Sequence, residues 1–513
     1  MIFAQKNWLL GLLIASLCLW LICLGNLPLR DWDEGTIAQV AHEIWRSPAE
    51  QMVWLYPTLG GEPYHNKPPL IHWLIAFAYS LGGVNEWTTR LPSAILTALG
   101  VPLFYLTANL AFQASLPALF SALVYMTMLP VVRHGRLAML DGAIITFFIF
   151  LLFCILKSRH QRIYALGIGV SLGLITMTKG IIVLLLGGIS FLFIIVNQQI
   201  KLLKNLYLWL GILLGSILPV CWYFLQWKYY GNNFLDINFQ DQSFARVFES
   251  VEGNSGPIWY YLIEIIKYGF PWLFFLPGGL YLAWQQRRQT WSKLVLIGTT
   301  FYFTSISFMS TKLPWYVMPI YPFFALAIGA KLMEMWQIKR FNLKFFRGFL
   351  NFLIVIALGG CIYFTYFDNQ PLLILMSITL GISMLITSML VGKYNRNFIL
   401  TLFIGMYLVL LLLMSSESWI WELNEAFPVK PVAELIRQYV PAGSKIYTSF
   451  RYSRPSLDFY SNCQIIATSI PQLQEMLDSE SYLLVENESL NQLNLNQGEI
   501  LGKVNGFTLV SSL

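Results

Sequence analysis

The sequence predicts an all-α polytopic membrane protein of about thirteen transmembrane helices, with interfacial helices beside them and a small C-terminal α/β soluble domain. Three observations carry this expectation. The 513 residues are 57% hydrophobic and 12% charged, whereas a soluble domain holds roughly 25% charged residues, so lipid must solvate much of the chain. Apolar runs approaching the roughly 20 residues of a spanning helix recur along the first 415 positions. The basic residues sort into alternate loops, as the positive-inside bias of cytoplasmic loops requires.

The runs lie near 8–26, 91–111, 115–131, 142–156, 163–178, 180–197, 206–226, 258–282, 294–309, 314–333, 348–367, 371–391 and 398–415. The first follows MIFAQKN without a small-residue cleavage site, and reads as a retained helix rather than a leader. The stretch 68–82, PPLIHWLIAFAYSLGG, is short and contains His72, and is expected as a helix lying in the interface. With thirteen spans and a cytoplasmic N-terminus, the inner loops hold Lys157, Arg159 and Arg162; Lys201 and Lys204; Arg287, Arg288 and Lys293. They continue with Lys339, Arg340, Lys344 and Arg347, then Lys393 and Arg396, against one acid, Glu334. Counting 68–82 as a span would invert every later loop and destroy this sorting. The transmembrane domain is therefore expected over 1–415, with outer loops at 27–90 and 227–257, and a periplasmic or extracellular domain over 416–513. In that tail SKIYTSF and YLLVEN read as strands, and VKPVAELIRQYV and IPQLQEMLDS as helices.

The net charge of +7 reflects this topology and implies no nucleic-acid partner. Six cysteines without a CxxC spacing indicate neither a zinc site nor a disulfide framework, and no GxGxxG is present.

The outer boundary gathers the unusual polar residues: DWDEG and YHNKPPL in the first loop, then RHGRLAMLD, TKG and TKLPWY at ends of spans. Charges at that depth are costly and mark a functional path or polar cavity. Snorkelling to lipid headgroups accounts for any one of Arg133, Lys179 or Lys312. It does not account for cations persisting on the face that should be depleted of them, so the group reads as an anion site. From Ile37, apolar Ile37, Val40, Ala41, Ile44 and Trp45 make one helical stripe, which lets this helix lie flat on the outer leaflet. Asp33 and Glu34 then sit at its N-terminus, where capping and the helix dipole are the structural alternative to chemistry, more so for Glu34.

Such a face suits a polyprenyl-phosphate sugar, whose tail dissolves in the bilayer while its phosphate sits at headgroup level. Transfer to a hydroxyl needs a carboxylate base and positive charge on the departing phosphate. Lys67, Arg133, Arg136, Lys179 and Lys312 are the available cations.

DWDEGTIAQVAHEIW, YHNKPPLIHWLIAFAYSLGGVNEWTTRLPSA, RLAMLDGAI, TKG and TKLPWYVMPIYP occur in that order over about 29–322. This succession resembles the integral-membrane GT-C glycosyltransferases, above all the branch that transfers aminoarabinose to lipid A within the protein-mannosyltransferase-like family. The resemblance implies an inverting transfer from a polyprenyl-phosphate sugar to an envelope lipid, glycan or protein hydroxyl at the outer face of the inner or plasma membrane. It implies Asp33 as base or acceptor-orienting group with Glu34 beside it, Lys67 at the donor phosphate, and Asp141 as a second acid near Asp33 that helps hold a metal or the acceptor. Glu62 and His65 are candidates for a divalent-metal site, against the plainer reading of His65 as a hydrogen-bonded loop residue. Where that branch has a basic residue and a Tyr after the Asp-Glu pair, this chain has Gly35 and Thr36, which leaves sugar and acceptor open. The loop 227–257, rich in amides and aromatics, is a candidate lid over the sugar. A lipid or sugar transporter is the rival, but it calls for ionisable groups near the midplane and repeated or broken helices. A scaffold whose tail binds envelope partners is the other; Arg451, Tyr452 and Arg454 read there as a solvated turn.

Overall fold

The computed structural model describes residues 2–338, 343–420, 428–450, 453–477, 481–490, 492–493 and 499–512; Lys339, Arg340, Arg451 and Tyr452 lie outside them. All thirteen apolar runs are helical. Among the described residues six helices are long and apolar enough to cross a membrane: Glu86–Phe112, Leu206–Tyr230, Pro314–Gln337, Lys344–Tyr366, Pro371–Gly392 and Phe398–Ser415. Ser115–Met126 and Leu129–Arg136 would make a seventh, bent by 58°. Pro130 begins the second of these, where its missing N–H costs nothing but its ring cannot continue the preceding turn. The run 258–282 is likewise interrupted, into Tyr260–Tyr268 and Leu276–Gln285, with Pro271 and Pro277 at the break. Leu70–Gly82, expected in the interface, is a separate apolar helix of 13 residues.

The chain forms two compact units. One comprises Met1–Leu24, His65–Leu70 and Ser93–Trp419; the other comprises Gly25–Tyr64, Ile71–Pro92 and Ile420–Leu513. In the first, Leu166–Lys179 packs on Leu206–Tyr230 through glycines at four-residue spacing, Gly169 and Gly173 against Gly211 and Gly215. A Cβ on Gly173 would lie 2.0 Å from the Gly215 carbonyl oxygen, so only hydrogen permits this approach.

In the second unit the tail supplies a five-stranded sheet in the order Gln464–Ala467, Lys445–Thr448, Tyr482–Glu486, Phe507–Ser511, Glu499–Val504. The first two pairings are parallel and the last two antiparallel. Val432, Ala433 and Ile436 of helix Val429–Tyr439 pack on Ile446, Ile465, Leu484 and Leu509 of the sheet. Both strands and both helices expected from the sequence are present; strands Gln464–Ala467, Glu499–Val504 and Phe507–Ser511 and helix Pro455–Ser461 are additional.

The first-loop helix, Asp33–Arg46, differs from its expected amphipathic placement. Its polar residues Glu34, Gln39, His42 and Glu43 are buried along with Ile37, Val40 and Ala41, while Trp45 is exposed. The polar side is covered by helix Pro455–Ser461 and by the hairpin Thr58–Leu59/Glu62–Pro63. Glu43 accepts hydrogen bonds from the Gln39 side chain (2.8 Å), the Gly60 amide (2.7 Å) and the Thr58 hydroxyl. Burial of this face is possible because protein donors replace water at each carboxylate.

Candidate functional site

In the first unit, the motifs of Lys67, Asp141 and Lys179 and the 227–257 loop bring their charges together. Asp141 is the first residue of helix Asp141–Lys157, and Lys179 is the last of Leu166–Lys179. These helices pack side by side, and each charge sits at the end its helix dipole favours. The Lys179 ammonium donates to Asp141 Oδ1 at 2.8 Å and lies 5.0 Å from the Tyr316 ring centroid, so TKG, MLD and TKLPWY meet there. Lys67 donates to Gln242 Oε1 at 3.1 Å. Burial, reinforced by the charges of Arg246 and Lys179 and opposed by those of Asp141 and Glu252, pulls the Lys67 ammonium down to about 7. Arg246 also donates to Gln242 (3.2 Å) and pairs with the largely exposed Glu252 (3.4 Å). Three cations thus share two carboxylates, an excess that an anion would neutralise.

The loop carrying Gln242 and Arg246 is bonded into place. Its π-helical stretch Asp236–Phe244 donates from Asn238 to the His65 carbonyl at 2.7 Å. Ser310 and Thr311 amides donate to the Val247 and Arg246 carbonyls, and the Lys312 amide to Asn254. Arg246, Gln242 and Glu252 were missed by sequence reasoning. The signal was available for Arg246, a cation in a loop expected on the outer side, by the argument applied to Lys67.

Other expected cations are engaged with backbone. Arg136 is fully buried and donates to the carbonyls of Leu19 (2.8 Å), Ile22 (2.6 Å) and Met414 (3.3 Å), at the C-terminal ends of two helices. Its guanidinium stacks on Trp419 at 4.7 Å. Arg133 donates to the Trp419 carbonyl at 2.9 Å. Lys312 donates to the carbonyls of Ile306 (3.1 Å) and Ser307 (2.7 Å), ending helix Thr290–Phe308, and burial lowers its pKa. These groups satisfy helix C-termini that burial would otherwise strand.

In the second unit, Asp33 and Glu34 have different surroundings. Glu34 is fully buried in a two-point ion pair with Arg90, Nε to Oε1 and Nη2 to Oε2, both 2.8 Å, and accepts the Arg30 amide at 3.0 Å. Arg90 also donates to the carbonyls of Leu27 and Pro28. Asp33 keeps 22% of its side chain exposed and pairs with Arg30 at 3.1 Å. Trp32, just before it, has φ 54° and ψ −57°, and the Asp33 amide donates to the Asp31 carbonyl at 2.7 Å. This three-residue turn is rare and strained for a residue with a side chain. Asp31 accepts from Arg454 (2.9 Å) and from the Ser456 hydroxyl (2.7 Å), so Arg454 is an ion-pair partner rather than part of a solvated turn.

Glu62 is exposed in the hairpin of the second unit, and His65, in the first, packs edge-on to Tyr230 at 4.5 Å and to Phe234. Burial lowers the His65 pKa. Among the described residues no three His, Cys, Asp or Glu side chains gather to hold a metal ion.

The sequence profile of the dolichyl-phosphate-mannose-protein mannosyltransferase family matches residues 66–225. The chain is 29% identical over 382 residues to undecaprenyl phosphate-alpha-4-amino-4-deoxy-L-arabinose arabinosyl transferase 1 of Pseudomonas fluorescens, covering 71% of this chain and 66% of that protein. It is 28% identical to the corresponding transferase of Pectobacterium carotovorum, over 66% of this chain and 62% of the relative. The alignments span just under two thirds of these relatives' length. The crystal structure of ArnT from Cupriavidus metallidurans bound to undecaprenyl phosphate superposes with a TM-score of 0.81 at 17% identity, over 99% of this chain and 98% of that one. The chain shares the GT-C membrane fold of that structure. The archaeal oligosaccharyltransferase AglB from Archaeoglobus fulgidus is more distant, at TM-score 0.53 and 11% identity, over 94% of this chain and 70% of that one. In this GT-C chain the mannosyltransferase match includes Lys67, Asp141 and Lys179, and ends before Arg246. Its departure from the aminoarabinose pattern at Gly35 has a local reason: a Cβ there would lie 2.7 Å from the Ser456 amide nitrogen.

Proposed function

We propose that this protein is a glycosyltransferase that moves a sugar from a polyprenyl-phosphate donor to a hydroxyl of an envelope lipid, with inversion, at the outer face of the inner or plasma membrane. The observation that carries the reading is the grouping of Lys67, Lys179 and Arg246 around two carboxylates, in the unit built from apolar helices. Relatives named for undecaprenyl-phosphate aminoarabinose transfer support that donor class.

In this scheme the acceptor oxygen attacks the anomeric carbon as the bond from that carbon to the phosphate oxygen breaks. The electron pair leaves with the phosphate, and the three cations stabilise the growing negative charge. Asp33 takes the hydroxyl proton, being the partly exposed acid of its pair, while Glu34 is committed to Arg90. Asp141 orients Lys179 toward the phosphate. The N-terminus lies in the cytoplasm, and the 416–513 domain lies outside, on the face where transfer occurs.

The test is a reconstituted assay with radiolabelled polyprenyl-phosphate sugars and candidate lipid, glycan and protein acceptors. Label is expected to move to the acceptor, and Asp33→Asn to lower kcat by about 10²-fold or more while the protein remains inserted and folded. Label that stays in the donor lipid and accumulates across the vesicle wall identifies a transporter. Full transfer by Asp33→Asn removes the assignment of the base.

A further inference from the structure

The turn at 31–33 is bonded to the C-terminal domain through both Asp31 and Trp32. Asp31 Oδ2 accepts from Arg454 Nη1 at 2.9 Å, and its Oδ1 accepts from the Ser456 hydroxyl at 2.7 Å and the Ser456 amide at 3.3 Å. The Trp32 indole donates to the Ser453 carbonyl at 2.7 Å, and the Arg454 guanidinium lies 5.6 Å from the Trp32 ring and 5.1 Å from that of Phe450. Gly35, one turn into the helix, admits the Ser456 backbone at a distance no other residue tolerates. Three tail residues, Ser453, Arg454 and Ser456, therefore touch the residues on either side of Asp33 or the ring before it. Asp33 itself pairs with Arg30 on its own loop.

A strained backbone conformation persists only where its surroundings over-determine it. Left alone, Trp32 would relax toward negative φ and swing the Asp33 carboxylate away. We propose that Arg454 and Ser456 are positioning residues: through Asp31 they hold the turn that aims Asp33, so the tail domain sets the geometry of the base. The inference rests on the reading of Asp33 as the base. It assigns to the tail a part in the chemistry, exerted without contact to the reacting atoms.

A displacement of about 1 Å in a catalytic group can cost on the order of 10²-fold in rate, whereas donor binding by cations of the other unit does not depend on this turn. Arg454→Ala is expected to lower kcat by roughly 10²-fold with donor KM changed by less than about twofold. Ser456→Ala, which removes one hydroxyl and leaves the helix intact, is expected to lower kcat by about 3- to 10-fold with the same unchanged KM. The exchanged pair Asp31→Arg with Arg454→Asp is expected to recover at least about tenfold in kcat over Arg454→Ala, again with donor KM unchanged. Should Arg454→Ala fail to fold, the Ser456→Ala result decides alone. Wild-type kcat in Ser456→Ala, or a donor KM that rises in step with the loss of kcat, overturns the inference. Full transfer by Asp33→Asn would instead overturn the base beneath it, and the two failures are read from separate proteins.

Discussion

Among single residues, similar charges hold opposite jobs according to what lies within hydrogen-bonding distance. Arg136 and Lys67 both stood out as cations on the depleted face, yet Arg136 spends its donors on the Leu19, Ile22 and Met414 carbonyls, while Lys67 meets one amide side chain. Arg136→Ala leaves buried carbonyls without donors, each costing about 1–3 kcal/mol. A large fall in melting temperature in detergent is therefore expected, whereas Lys67→Ala should melt like the parent protein and raise donor KM instead. Lys67 also carries a pH signature. Its ammonium is pulled down to about 7, so below that pH the free protein presents a charged lysine. Above it the lysine is neutral, and binding a phosphate must take up a proton, which weakens binding by up to about tenfold per pH unit. Donor KM is expected to rise between pH 7 and 8 and to stay flat between 5 and 6; Lys67→Arg, charged throughout, should abolish the rise. At Trp32 the strained φ of 54° costs on the order of 1–3 kcal/mol, which the bonds to Ser453 and from Asp31 must offset.

Among the elements, helix ends do most of the positioning. Lys179 is placed by the last turn of Leu166–Lys179, and that helix is placed by glycine contact with Leu206–Tyr230. Gly173→Leu forces the two helices apart, because a side chain would enter the Gly215 backbone. The expected outcome is loss of transfer, with donor KM and kcat both affected, and a lowered melting temperature. Gly187→Ala, whose added Cβ meets only the Leu172 side chain at 3.4 Å, should behave as the parent in both measurements. The first-loop helix makes a related point. Its stripe of Ile37, Val40 and Ala41 was legible, but its burial on the polar side as well was not, since the partners of Glu34 and Asp31 lie 56 and 423 residues away in the chain. Hydrophobic periodicity reports one apolar face and is silent about a polar face covered by complementary donors.

For the whole molecule, the proposed topology puts the first loop, the 227–257 loop and the tail on one side of the membrane, and the lysine- and arginine-rich loops on the other. Cysteines introduced at exposed Glu62 and Glu252 are expected to react with an impermeant maleimide in intact cells. Cysteines at exposed Lys201 and Arg287 should react only after the membrane is opened. Labelling of the Glu62 and Glu252 positions from opposite sides would separate Asp33 from the cation cluster and end the proposed mechanism.

The amino-acid order by itself determined the apolar helices, the tail's Lys445–Thr448 and Tyr482–Glu486 strands, and the succession of motifs that contains Lys67, Asp141 and Lys179, because periodicity, span length and short motifs are local properties. Only the tertiary structure decided which cations donate to backbone carbonyls. Arg133, Arg136 and Lys312 could not be told from Lys67 by position in the chain, since the carbonyls that engage them belong to helix ends brought there by packing. Likewise only folding joined 25–64 and 71–92 to 420–513, because Asp31 and Arg454 attract each other across any sequence separation once the chain has closed the distance.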